Sequence, residues 1–313
     1  MVKWRRWVVG LLVLAALGFA VHFGFTFPWA PTLEALKTSN WLLLSAAALA
    51  HLVSLAVKGT EWYVFLRRLA PVRFATAQLA TFVGAALACI SVSVSGDVAR
   101  AKVVATRGEA SMSEAVGSLI LARFVEIMSL LVFLAVALIA APPFPSASLI
   151  GLGLGLVTGA VFLGYRRLPW ARIRSRTLGP WRGPLVEMVA STDRIGMVAA
   201  VLLACFNWLL QWAAFHWTIA ATHTPAHMSV SLTALVAANA AGLLRLTPGN
   251  FGVLQGSMIL AMEQFGIPLA SALAAGLALQ AVQVLPVLAI GIGLTGMKGL
   301  AQLLRKSTPP SGP

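Results

Sequence analysis

Two pairs of opposite charges at i, i+3 spacing interrupt otherwise apolar stretches of the 313-residue chain: Asp97 with Arg100, and Arg123 with Glu126. Residues three apart share a helix face. An ionisable group inside a bilayer costs about 2.5 to 3.5 kcal/mol on insertion scales, so it needs a partner or a wet cavity. Asp97 and Arg100 close the stretch that begins Ser91-Val-Ser-Val-Ser-Gly-Asp97. A basic group at such a break can meet a lipid phosphate, helped by the unpaired N–H groups that open the next helix; the alternative is an internal salt bridge that closes the turn. Arg123 and Glu126 read equally as a self-neutralising packing pair and as ligand contacts. Because their charges cancel, an anionic headgroup requires another cation, which Arg100 or Arg245 could supply.

A second constellation is Arg245-Leu-Thr-Pro-Gly-Asn-Phe-Gly252. Pro248, Gly249 and Gly252 break a helix, while Thr247 and Asn250 offer hydrogen bonds without charge; a plain surface loop is the alternative. Gln255, Gln280 and Gln283 either line the outer half of a cavity or pair with one another between helices. Motifs for covalent or metal chemistry are missing. In His223-Thr-Pro-Ala-His227, Pro225 interrupts the helix and the glutamate of a zinc-protease motif is absent. No nucleotide-binding G-x-x-x-x-G-K-[ST] or nucleophile-elbow G-x-S-x-G sequence occurs. No catalytic residue, metal or cofactor is therefore expected, and any energy for transport comes from a gradient, a partner or the lipid gradient itself.

The elements that must position these residues follow from composition. The chain is 59% hydrophobic and 10% charged, against about 25% charged in an ordinary soluble domain. Its 23 basic and 9 acidic residues, net +14, cluster between long apolar runs, as in a polytopic helical membrane protein. Basic residues confined to short loops argue for topology and against nucleic-acid binding. The runs cover about 7–27, 41–57, 75–95, 115–141, 147–165, 197–220, 230–246 and 269–296. The first follows Lys3, Arg5 and Arg6 and is read as a retained helix, since it is long and lacks a cleavage site.

Eight simple crossings conflict with the positive-inside rule. The segment 166–196 holds seven arginines, from Arg166 to Arg194, and should be cytoplasmic like the N-terminus, yet a direct count places it outside. The conflict disappears if the broken stretches at 91–97 and 245–252 are tips of re-entrant hairpins. The expected fold is all-α, with about six full transmembrane helices and two oppositely oriented re-entrant hairpins in an inverted repeat. Repeat A covers about 41–141, the basic cytoplasmic loop 166–196 and repeat B 197–296, within one transmembrane domain, and a disordered tail covers 305–313. Gly96 corresponds to Gly252 at an offset of 156, and Arg123-x-x-Glu126 to Gln280-x-x-Gln283 at 157.

At these residues the chain resembles the flippase-like family that includes the membrane region of lysylphosphatidylglycerol synthases, over roughly 40–296. The matching stretches are Val92-Ser-Val-Ser-Gly-Asp97 with Arg100, Arg123-Phe-Val-Glu126, and Pro248-Gly-Asn-Phe-Gly-Val-Leu-Gln255. Val92 stands where the family's first Pro falls, Gln255 where its second motif has Glu, and Gln280 where an Arg is common. The resemblance implies a divergent branch, such as the one associated with hopanoid lipid synthesis. The soluble aminoacyl-transfer domain of the bifunctional synthases is not expected in a chain ending at Pro313.

The expected function is a bacterial inner-membrane lipid transporter, or flippase, for a lipid with a polar or phosphate headgroup, with both termini cytoplasmic. The alternatives are a membrane-embedded lipid-modifying transferase using Asp97 or Glu126 as general base, or a non-catalytic subunit of a lipid-biosynthesis complex. The expected partners are membrane lipids, with lipid-biosynthesis enzymes or a second copy of the chain as further candidates. Glu61, in Gly59-Thr-Glu-Trp-Tyr63, reads as part of an interfacial segment with aromatic anchors. Gly151, Gly155 and Gly159 read as a close helix-packing stripe, and Cys89 and Cys205 as small apolar fillers.

Overall fold

The computed structural model describes residues 29–91, 95–140, 147–164, 192–242 and 247–307, with 187 and 189. The helix expected over 7–27, most of the basic loop, Arg245 and the tail end at 308–313 lie outside the described residues. Among the described residues there are ten α-helices and no strands: α1 Trp29–Lys37, α2 Trp41–Leu66, α3 Phe74–Ile90, α4 Ser95–Thr106, α5 Met112–Ala140, α6 Ala147–Gly164, α7 Arg194–Ala221, α8 Met228–Gly242, α9 Val253–Glu263 and α10 Leu269–Ser307. A single 3-10 turn, Pro248–Asn250, joins α8 to α9.

Among the described residues, four helices are long and apolar enough to cross a bilayer: α2, Met112–Ile139 of α5, α7, and Leu269–Gly296 of α10. α3, α8 and the apolar part of α6 are shorter. The sequence of α7 shows why such helices suit lipid. Ile195, Val198, Leu202, Phe206 and Leu209 recur every three or four residues and are exposed, whereas Ala200, Ala204, Trp208 and Phe215 are buried. An exposed apolar stripe of this length is a surface for hydrocarbon.

α2 and α7 lie antiparallel, tied at both ends. The Asn40 N–H donates to the Ala221 carbonyl at 2.9 Å, and at the other end Arg68 Nη2 donates to Asp193 Oδ1 at 3.0 Å. Asp193 Oδ1 also accepts the Gly196 N–H at 2.8 Å, which caps the start of α7. Small side chains let these helices approach: Ala47 and Ala50 of α2 cluster with Ala214 of α7 and Val282 of α10.

α3 and α4 form a helical hairpin. Its mouth is fastened by Glu109, whose carboxylate accepts the Arg73 backbone N–H at 2.9 Å, Arg73 Nε at 2.8 Å and the Thr76 hydroxyl at 2.9 Å. Near its tip the backbones nearly touch: a Cβ on Gly84 would lie 2.6 Å from the Gly96 carbonyl oxygen, and one on Gly96 would lie 2.7 Å from that of Gly84. Only glycine permits that approach. A reciprocal cap then starts α5, with the Ser111 N–H donating to Glu114 and the Glu114 N–H to the Ser111 hydroxyl.

α8 and α9 form a second hairpin with its mouth at the opposite end of the molecule. There, His223 Nε2 lies 2.8 Å from the Thr38 carbonyl, and the Thr32 hydroxyl donates to the Ala270 carbonyl at 3.1 Å. The tips of the two hairpins meet, because a Cβ on Gly249 would lie 2.7 Å from the Cys89 carbonyl oxygen.

Three readings of the sequence change. α2 does not end at 57 but continues through Lys58 and Glu61, and Glu61 is fully buried rather than interfacial; these charged residues face other helices, so they do not end the span. Of the glycine stripe, only Gly151 packs tightly, with a Cβ position 2.8 Å from the Ala135 carbonyl oxygen, while nothing lies within 4 Å of a Cβ on Gly159. Residues 305–307 belong to the last turn of α10.

Burial acts to raise the Glu109 carboxyl, but the bonds from the Arg73 backbone, the Arg73 guanidinium and the Thr76 hydroxyl outweigh it and hold the group below its ordinary range. A lowered carboxyl contributes stability that is complete above the unfolded value, about 4.3, and is lost as pH falls through the lower folded value. Glu109→Gln is therefore expected to melt below the wild type near neutral pH, with the gap closing in acid; parallel melts across pH check this.

Candidate functional site

α2, α4 and α5 bring five charged side chains into a continuous chain of alternating sign. Lys58 Nζ lies 2.8 Å from Glu126 Oε1, and Glu126 Oε2 accepts Arg123 Nη1 at 2.6 Å. On its other side Arg123 grips Asp97, with Nη2 at 2.7 and 2.8 Å from the two carboxylate oxygens and Nε at 3.2 Å from Oδ2. This forked geometry is what a planar guanidinium does and an ammonium cannot. Arg100 Nη1 lies 3.7 Å from Asp97 Oδ1, and its guanidinium sits 4.5 Å above the Trp62 ring. The Trp62 N–H donates to the Ser118 hydroxyl at 2.9 Å, holding the ring in place.

The i, i+3 pairs read from sequence are thus both real ion pairs, yet each also belongs to a larger network between helices. Lys58 and Glu61 were not placed in the site by the sequence reading. Their spacing carried the signal: Lys58-x-x-Glu61 has the same i, i+3 pattern as the other two pairs. Glu61 lies on the buried face of α2, and among the described residues neither of its carboxylate oxygens has a hydrogen-bond partner.

Two adjoining cavities of about 300 and 290 Å³ open beside this network. Both are walled by Lys58, Arg123, Gln211, Gly249 and Asn250. The first adds Glu126, Trp208 and Asn239; the second adds Asp97, Arg100, Gln280 and Gln283. The first half of the chain supplies the charged wall and the second half an amide wall. Gln211 and Asn239 of the amide wall, and Trp208, whose N–H donates to the Glu126 carbonyl at 3.1 Å, were also missed. A Gln or Asn within an apolar helix is the signal that points to the first two.

The three predicted glutamines divide. Gln255 Oε1 accepts the Gly252 N–H at 2.8 Å, and Gln280 Nε2 donates to the Gly249 carbonyl at 2.8 Å. Gln255 and Gln280 meet at 3.5 Å, so these two act as interhelical fasteners that shape the second tip. Gln280 also lines the second cavity, together with Gln283 and Asn250. Asn250 follows Gly249 in the left-handed region, with φ of 56° and 59°, a pairing Asn tolerates. Arg245 lies outside the described residues.

Long apolar helices with exposed apolar flanks, enclosing a charged junction of broken helices, define a multi-pass helical membrane protein. The chain belongs to the family described as the lysylphosphatidylglycerol synthase TM region, whose model matches residues 7–291. That match bears out the resemblance seen in the short motifs and extends it over the run at 7–27. No curated protein matches the chain significantly.

Proposed function

We propose that the protein is a lipid transporter of the bacterial inner membrane, holding a polar or phosphate headgroup in the paired cavities while the acyl chains stay in the surrounding hydrocarbon. The observation that carries this reading is the meeting of the two hairpin tips, Cys89 against Gly249, beside cavities lined with charge and amide. Irregular backbone at membrane depth is tolerated where it lines a cavity or is buried in protein, and transporters place substrate sites at such breaks.

In this reading α3–α4 and α8–α9 are re-entrant hairpins. The full spans are the run at 7–27, α2, α5, α6, α7 and α10. The end carrying Arg67, Arg68, Arg73, Arg107 and Arg194 faces the cytoplasm with both termini, in accord with the positive-inside rule. The two halves form an inverted repeat, and rocking one against the other alternates access to the cavities. Membrane lipids are the partners.

Purified protein in liposomes is expected to move labelled lipid between leaflets, and Asp97→Ala, Arg100→Ala and Arg123→Ala to lose this while remaining folded enough to purify as single species. Wild-type liposomes that move no lipid but convert one when a donor is added would place the protein with lipid-modifying transferases.

A further inference from the structure

We propose that Glu61 is a proton-binding site linked to the headgroup site, so that a phosphodiester lipid and a proton are taken up together. This rests on the lipid-transport reading and adds its coupling ion.

Among the described residues the partly buried cluster contains three cations, Lys58, Arg100 and Arg123, and three carboxyl groups, Glu61, Asp97 and Glu126. Asp97 and Glu126 each meet cations directly. Glu61 is the exception, with zero exposure and two oxygens that have no hydrogen-bond donor. On the opposite side of the balance, Arg100 is 4% exposed, with Nε and Nη2 lacking acceptors, and it lines the second cavity. The cluster therefore holds unspent donors on a residue that lines a cavity and an unpartnered carboxyl next in sequence to Trp62, the ring under the Arg100 guanidinium.

A phosphodiester entering the second cavity brings one negative charge and oxygen acceptors for Arg100 and Lys58. With Glu61 ionised, the six side chains then no longer balance, and an uncompensated charge in a low-dielectric interior is costly. One proton on Glu61 restores neutrality without breaking the forked Arg123–Asp97 contact or the Lys58–Glu126 pair. The proton is bound from water on one side and returned on the other, with no bond made or broken in the lipid. The ionisable groups whose fields reach Glu61 are Lys58 on its own helix, Arg100 on α4, Arg123 and Glu126 on α5, and Cys205 on α7. The cations favour the ionised form of Glu61, so engaging them with an anion removes what opposes its protonation. Linkage is reciprocal: the proton that the lipid recruits strengthens lipid binding equally.

The test is calorimetric titration of the full chain in detergent with short-chain phosphatidylglycerol, whose phosphodiester keeps one charge across the range used. Running it in buffers of different ionisation enthalpy, from mildly acidic to mildly alkaline pH, counts the protons taken up. Wild type is expected to take up as much as about one proton per lipid, with affinity weakening by up to roughly tenfold per pH unit as pH rises. Glu61→Gln is expected to bind lipid with no net uptake and a flat pH profile. Deacylated glycerophosphoglycerol in place of the lipid separates a headgroup site from a chain site; uptake with either supports the linkage. Wild-type binding with no uptake at any pH, or unchanged uptake by Glu61→Gln, overturns the proposal and leaves the transport reading standing. Wild type that binds neither ligand overturns both. The wild-type count stands even if the variant fails to fold.

Discussion

Replacing Arg123 with Met is expected to cost about 3 kcal/mol of stability and to abolish lipid translocation. Breaking a buried ion pair by removing one partner costs about 3 to 5 kcal/mol. The lower end applies because the Arg123 side chain keeps 34% of its exposure. The loss is large because one guanidinium holds two carboxylates at once: Asp97 through a forked contact and Glu126 through a 2.6 Å bond. Arg123→Lys is not expected to rescue, since an ammonium cannot grip Asp97 with two parallel bonds and still reach Glu126. A variant that also carries Asp97→Asn and Glu126→Gln should not regain that stability, because Lys58 and Arg100 then lose the carboxylates they meet, and it should not transport. Detergent-solution melts and liposome translocation read the two effects separately. A single Arg123→Met variant as stable as wild type would mean that the network is solvated and contributes nothing.

The second large effect is expected at Gly249, where Ala meets two obstacles. Gly249 has φ of 59°, a conformation that costs an L-residue about 1 to 2 kcal/mol. Its Cβ would also lie 2.7 Å from the Cys89 carbonyl oxygen, a backbone atom that cannot swing aside; overpacking of this kind costs about 1 to 3 kcal/mol. Gly249→Asn separates the causes, because Asn tolerates the left-handed conformation yet carries the same Cβ. If the tips are in contact, both variants lower the melting temperature and slow transport. A Gly249→Asn protein that melts with wild type would show that the tips do not press together.

Much of the fold was legible because bilayer-length apolar helices leave a coarse pattern. The long spans at α2, α5, α7 and α10 follow from runs of apolar residues, and the expected breaks at 91–97 and 245–252 from Ser, Pro and Gly clusters that disfavour a continuous helix. Asp97, Arg100, Arg123 and Glu126 stood out because a charge in an apolar run needs a reason. Lys58 and Glu61 did not, because the aromatic and basic residues that follow them resemble an interface, and only packing reveals which face of α2 they occupy. Gln255 and Gln280 illustrate the opposite limit. Sequence identified them as polar groups in an apolar setting, but whether such an amide faces a cavity or bonds a neighbouring backbone depends on helix rotation.

The sequence by itself determined the class of the protein, the long apolar helices, the places where helices break and the membership of a family. These follow from local composition, since helix length, helix breaking and bilayer partition are set by residues near one another in the chain. Tertiary structure alone decided that Lys58, Glu126, Arg123, Asp97 and Arg100 form one alternating chain, that the second half answers with amides, and that Glu61 is left without a partner. Those facts depend on how helices distant in sequence rotate and approach. The close contacts at Gly84, Gly96 and Gly249 fix that approach, and only after it is fixed does a charge acquire its neighbour.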